Sequence, residues 1–140
     1  MKKLPKQPTW RKYWSICIRL GHLEYQDGQP TRYCKCVTCG SVKHWKEMDA
    51  GHFIPSSRSP LVKWDLRNGG PQCSQCNMNM NDPRLVYRFA RWIDSVHGRG
   101  TVDLLIDMSR QPDVYSPMSE KREQFETLKE TARKLLKERT

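Results

Sequence analysis

The chain has 140 residues, a formal net charge of +10, 36% hydrophobic residues and a mean hydropathy of −0.83. That length suits one domain with a modest core. No stretch is apolar for the 18 or so residues a membrane helix needs, and the start "MKKLPKQPTWRKYW" lacks the apolar segment of a signal peptide. The expectation is a cytoplasmic protein, in which six cysteines read as metal ligands before disulfides.

The charge is uneven. Residues 1–46 hold ten Lys or Arg and two acids, whereas residues 47–116 hold eight of each. A basic N-terminal third points to a polyanionic partner, most simply nucleic acid. Residues 1–8, with Pro5 and Pro8, read as a flexible basic arm, and Lys2, Lys3, Lys6, Arg11 and Lys12 are its candidate contacts to a DNA backbone.

A helix is predicted from Thr9, because Trp10, Tyr13, Trp14 and Cys17 recur at helical spacing. Residues 33–54 read as short strands around Gly40 and Gly51. "PSSRSP" and "LRNGGPQC" read as loops, with Arg58, Lys63 and Arg67 as candidate phosphate contacts beside them. A helix follows, with Asp82 as N-cap, Pro83 as first residue and Gly98 as stop. Leu85, Val86, Phe89, Trp92, Ile93 and Val96 form its predicted buried stripe. A shorter helix is predicted over 102–109. A last one starts near Ser116 and Pro117, with Phe125, Leu128, Ala132, Leu135 and Leu136 on one face. The order of elements predicts an α+β fold. The divisions are an arm and helix over 1–30, a core over 31–98 and a helical extension over 99–140.

Cys36-x-x-Cys39 and Cys73-x-x-Cys76 are two pairs with knuckle spacing. Two intervening residues let a tight turn offer both thiolates to one ion, so four soft ligands predict a structural zinc. Cys34 is a competing ligand at poorer spacing, and Cys17 falls on the apolar stripe. A closed four-thiolate site leaves no position for substrate, so the zinc accounts for folding and not for chemistry.

Between and after the pairs stand "DAGHFIP", "LRNGG" and "CSQCN". These segments resemble the HNH, or ββα-metal, nuclease motif, in the zinc-stapled form that includes phage endonuclease VII. Over roughly residues 10–137 the chain is similar to the NinG (Rap) recombination proteins of lambdoid phages. The resemblance implies a zinc-stapled HNH-like core and a metal-dependent endonuclease acting on branched DNA in the host-cell cytoplasm. Holliday junctions, D-loops and flaps are the implied substrates. It makes His52 the general base and Asn68 the residue that pins the loop behind it. Asp49 and Asn77 become ligands of a catalytic Mg²⁺ or Mn²⁺. A neutral-range histidine suits deprotonation of water, and hard oxygens suit such an ion.

One position departs from the pattern. The residue before the base is ordinarily a metal ligand; here it is Gly51, and the carboxylate stands at 49. Asp49 then serves if a bulge or turn at Ala50–Gly51 brings it in. Asn81, four residues after Asn77, is either a further ligand on the same helix face or part of a cap; Asn79 has no such placement. His44 reads as a surface or packing residue with phosphate contact as the alternative, and His22 and His97 read as helical residues remote from the motif. Two other functions compete: a zinc-stapled DNA-binding module without catalysis, and an HNH nuclease of homing or host-DNA degradation. A C2 homodimer through the apolar face of the last helix is a further expectation, the alternative being that this face packs on its own domain.

Overall fold

The computed structural model describes residues 3–112 and 117–140. The chain runs α1 (Gln7–Leu20), β1 (Leu23–Gln26), β2 (Gln29–Lys35), β3 (Val42–His44), β4 (Asp49–His52), β5 (Gly69–Gln72), α2 (Ser74–Met78), α3 (Pro83–His97), α4 (Thr101–Ser109) and α5 (Met118–Arg139). Single 3-10 turns at Trp45–Glu47 and Leu66–Asn68 lead into β4 and β5. This is an α+β arrangement with two small antiparallel sheets, β1-β2-β3 and β4-β5.

The β4-β5 pair sits at the centre. Its register is regular, with Asp49 opposite Gln72, Ala50 opposite Pro71, Gly51 opposite Gly70 and His52 opposite Gly69. Two glycines let helices close on it from both sides. A Cβ on Gly69 would lie 2.4 Å from the Trp14 ring of α1, and one on Gly70 would lie 2.8 Å from the Trp92 ring of α3. The hydrophobic drive for this closure comes from two cores. One joins Trp10, Trp14, Ile18 and Leu20 of α1 to Phe125, Leu128 and Ala132 of α5 and to the buried cysteines. The other joins Ile54 and Val62 to Phe89, Ile93 and Leu105 of α3 and α4.

α3 begins and ends where the sequence places it. Asp82 Oδ1 accepts from the Arg84 backbone N–H at 2.9 Å, and Gly98 takes φ 112°. Val96 departs from the predicted stripe: it is exposed, because the buried face of α3 ends at Ile93 and Gly98 turns the chain away. The N-terminal segment also departs. The helix begins at Gln7, Leu4 packs on the first core, and the Pro5 carbonyl accepts from Trp10 Nε1 at 3.1 Å, so the described part of the arm is docked. Lys2 lies outside the described residues, as does the Ser116 start proposed for the last helix. The apolar face of α5 is covered from within the chain, with Phe125 against Trp10 and Tyr13 at ring separations of 5.1 and 5.7 Å. The face thus packs on its own chain, as the alternative expectation has it.

Candidate functional site

The four cysteines of the two knuckles converge. The Sγ atoms of Cys36, Cys39, Cys73 and Cys76 all lie within 4.8 Å of one another. A tetrahedral zinc with bonds of about 2.3 Å needs sulfur separations of about 3.8 Å; Cys39 and Cys73 stand 3.7 Å apart. The donor set and spacing therefore fit a structural zinc. Local structure explains the convergence. After β2 the chain turns through Gly40 at φ 80°, with the Gly40 N–H donating to the Cys36 carbonyl at 2.9 Å. Cys73 is the N-cap of α2, so Cys76 follows one turn later. Cys34 is not part of the cluster: its thiol donates to the Arg19 carbonyl at 3.2 Å. Cys17 is buried against Leu128, and burial pushes both of these thiols up to about 11.

Beside the cluster lies an open cavity of about 660 Å³, lined by Asp49, His52 and Asn77 together with residues of α1 and the turn before β4. Asn77 follows directly after Cys76, and its Nδ2 donates to Asp49 Oδ2 at 3.2 Å. This contact forms without a bulge, since β4 is regular through Ala50 and Gly51. Packing around Gln72 stands against a side chain at position 51. A Cβ there would lie 1.9 Å from Oε1 of Gln72, a fully buried side chain that donates through Nε2 to Thr38 Oγ1 at 3.2 Å. Asn81 does not share a helix face with Asn77, because α2 stops at Met78 and α3 starts at Pro83. Asn79 instead donates to the Gln75 carbonyl at 2.7 Å.

His52 stacks on Trp14 with centroids 4.0 Å apart and planes 9° apart, and Trp64 flanks it at 5.9 Å. Its Nε2 lies 2.8 Å from the Lys63 carbonyl. A carbonyl only accepts, so Nε2 carries the proton and Nδ1 keeps its lone pair. Burial lowers the pKa of His52; the Lys63 carbonyl opposes that shift, and the positive charges of Arg11 and Lys63 add to it.

Asn68 is fully buried and sits behind this arrangement. Its Oδ1 accepts from the Ile54 N–H at 2.8 Å, and its Nδ2 donates to the carbonyls of Ile54 and Val62 at 3.1 Å each. Asn68 thus clamps the two ends of the 55–61 loop, one residue from the carbonyl that holds His52. Asn68→Ala is expected to destabilise the fold by about 2–4 kcal/mol, because it strips the Ile54 N–H and carbonyl of their Asn68 partner in the interior and takes one of two donors from the Val62 carbonyl, which keeps the Asp65 N–H. Urea unfolding measures this, and a change below half a kcal/mol would remove the clamp as its explanation.

The other basic candidates are dispersed. Arg11 lines the cavity. Arg58 borders an adjoining cavity with Arg110, and the Lys63 ammonium sits 5.1 Å over Trp64. Arg67 departs from its predicted place: a 2.7 Å ion pair to Asp65 and a contact to Met108 hold it away from the Asp49–His52 cavity. Lys12 lies 5.7 Å from the Tyr13 ring centroid, and Lys3 and Lys6 belong to the docked segment. His44 caps the turn before β4, accepting from the Lys46 N–H at 3.2 Å. His22 lies in the turn after α1, not in a helix, with its ring 6.0 Å from that of His97. Sequence reading did not single out Ser15, Arg19 or Lys46, which also line the cavity.

Fold and site define a small α+β protein with a four-cysteine cluster that could hold a metal ion and a polar, cation-lined cavity beside it. The family described as "Bacteriophage Lambda NinG protein" matches residues 29–139. The chain belongs to the NinG family. Among curated relatives, "Protein ninG" of Escherichia phage 933W and of Salmonella phage P22 are each 32% identical over 53 residues, 38% of this chain. The match spans 26% of the length of those relatives. No solved structure matches significantly, and among the described residues no helix is long and apolar enough to cross a membrane.

Proposed function

We propose that this chain is a metal-dependent DNA endonuclease of phage recombination, with β4, β5 and α2 forming an HNH-like ββα core and branched DNA as its substrate. One observation carries the reading. Asp49 and Asn77, 28 residues apart in sequence, meet at 3.2 Å in the cavity that His52 also lines. A non-catalytic binding module has no need of this trio together.

The chemistry follows from the side chains. His52 enters as a neutral imidazole with Nε2 tied to a carbonyl, so Nδ1 takes a proton from the attacking water. Stacking between Trp14 and the hairpin fixes the ring plane and costs nothing at the moment of reaction. The Asp49 carboxylate and the Asn77 amide oxygen are hard donors suited to Mg²⁺ or Mn²⁺. When bound there, such an ion would supply positive charge to offset that developing on the phosphate and the leaving oxygen. Asn68 positions His52 through Val62 and its neighbour Lys63.

The direct test runs purified protein with Mg²⁺ or Mn²⁺ on a four-way junction, a flap and a linear duplex of matched length. Nicking of the junction and the flap in preference to the duplex is expected. Equal cutting of all three would leave a nuclease without branch selectivity. No cutting of any would favour the zinc-stapled binding module.

A further inference from the structure

We propose that Arg19 is the phosphate grip of this cavity, and that Arg11, Ser15 and Lys46 extend it into a track for one DNA strand. This rests on the cavity being the nucleic-acid site proposed above, and it names residues that hold the backbone next to the reacting phosphate.

The case begins with a half-buried cation at the cavity wall that is held by neutral groups. Arg19 is half-buried at the end of α1. Its Nε donates to the Ser15 carbonyl and hydroxyl at 3.2 and 3.1 Å, and its Nη1 donates to the Trp45 carbonyl at 3.3 Å. The guanidinium also lies 5.0 Å from the Trp45 ring centroid. Every one of these partners is neutral. Among the described residues no carboxylate forms an ion pair with Arg19, whereas Arg67 and Arg84 have theirs in Asp65 and Asp82. A half-buried charge without a counter-ion is a cost to the fold. Burial indeed pulls the Arg19 pKa below its ordinary value, and Cys34 and Asp49 oppose that only in part. The fork is held in place, and among the described residues no acceptor takes its remaining Nη protons. That is the state of a preorganised anion site, and phosphate is the anion a planar guanidinium fork fits.

The surroundings name the ligand as a polymer. Arg11, Ser15 and Arg19 recur every four residues, so they share one face of α1 over about 12 Å. All three line the cavity with Lys46, whose ammonium lies 5.8 Å from the same Trp45 ring. Three cations face a single lining carboxylate, Asp49. A strand carries a phosphate about every 3.4 Å of duplex axis, so a backbone along α1 meets each group in turn. A mononucleotide would use only one end of the track. Trp14, between these positions, carries the His52 stack, so one helix aligns the strand and the base.

The test measures binding apart from cutting. Arg19→Ala and Arg19→Lys are placed in a His52→Ala background and titrated with junction DNA without added divalent ion; no chelator is used, because it would strip the zinc. Zinc content and melting temperature are matched first. Arg19→Ala is expected to raise the dissociation constant roughly tenfold and to lower the slope of log K against log salt by about one. Arg19→Lys keeps the charge and loses the fork, so it recovers the slope but not the full affinity. Unchanged affinity and slope in a folded Arg19→Ala protein would overturn the assignment. If the alanine variant does not fold, Arg19→Lys decides, and wild-type affinity there overturns it too. A wild type that binds DNA but never cuts sinks the nuclease reading alone, since the binding data still judge Arg19.

Discussion

Cys36→Ser or Cys73→Ser is expected to abolish stoichiometric zinc and to leave the chain largely unfolded at 25 °C. The four thiols join two segments far apart in sequence, the turn after β2 and the first turn of α2, whose other ties are single hydrogen bonds such as the Val37 N–H to the Pro71 carbonyl and Gln72 Nε2 to Thr38 Oγ1. A structural zinc supplies about 10 kcal/mol or more, which is as large as the whole stability of a typical domain, about 5–15 kcal/mol. The same cysteines belong to the core shared by α1 and α5, so losing the ion also loosens that packing. Cys34→Ser is the internal control. It is equally buried, yet its thiol bonds to Arg19 and not to the cluster, so zinc content should stay at one per chain with a smaller drop in stability. Metal analysis and circular dichroism with and without a chelator read both. A Cys36→Ser protein with full zinc and a wild-type melt would refute the assignment.

The cysteine cluster is legible because its information is local: two residues of spacing define each half, with the Gly40 turn after the first pair and the start of α2 carrying the second. The Asp49–Asn77 contact was legible in identity but not in geometry. The run "DAGH" suggests a bulge or turn to bring Asp49 in, whereas the structure brings it to Asn77 with regular pairing and with Gln72 filling the space beside Gly51. That filling is tertiary, and nothing in the run "DAGH" announces it. Arg19 was illegible for the same kind of reason. On a helix wheel it belongs to the polar side of α1 and reads as solvated charge. Only the docking of α1 on β4, through Trp14 and the glycine at 69, turns that side into a cavity wall. Arg67 differs: its place beside a glycine-rich loop makes it a candidate phosphate contact, and in the structure its guanidinium pairs with the neighbouring Asp65.

His52→Ala is expected to reduce cleavage by about 10²–10⁴-fold while junction binding stays within a factor of about two, because general-base catalysis is lost and the cation track is kept. The pH profile supplies the sharper test. A base acts only when unprotonated, so the rate rises with pH up to the pKa of the group and is flat above it. Burial lowers the pKa of His52, with Arg11 and Lys63 adding to the shift. The acid limb of kcat/KM should therefore lie below the ordinary histidine value of about 6.5, with no histidine limb between pH 7 and 8. The position of that limb can be moved without touching the ring. Lys63 holds His52 through its backbone carbonyl, so Lys63→Ala preserves the tautomer and removes a nearby positive charge together with its contact to the Trp64 ring. The limb should then shift to higher pH, with kcat on the plateau little changed. A limb that stays in place in Lys63→Ala, or an unchanged rate in His52→Ala, would assign the proton to another group.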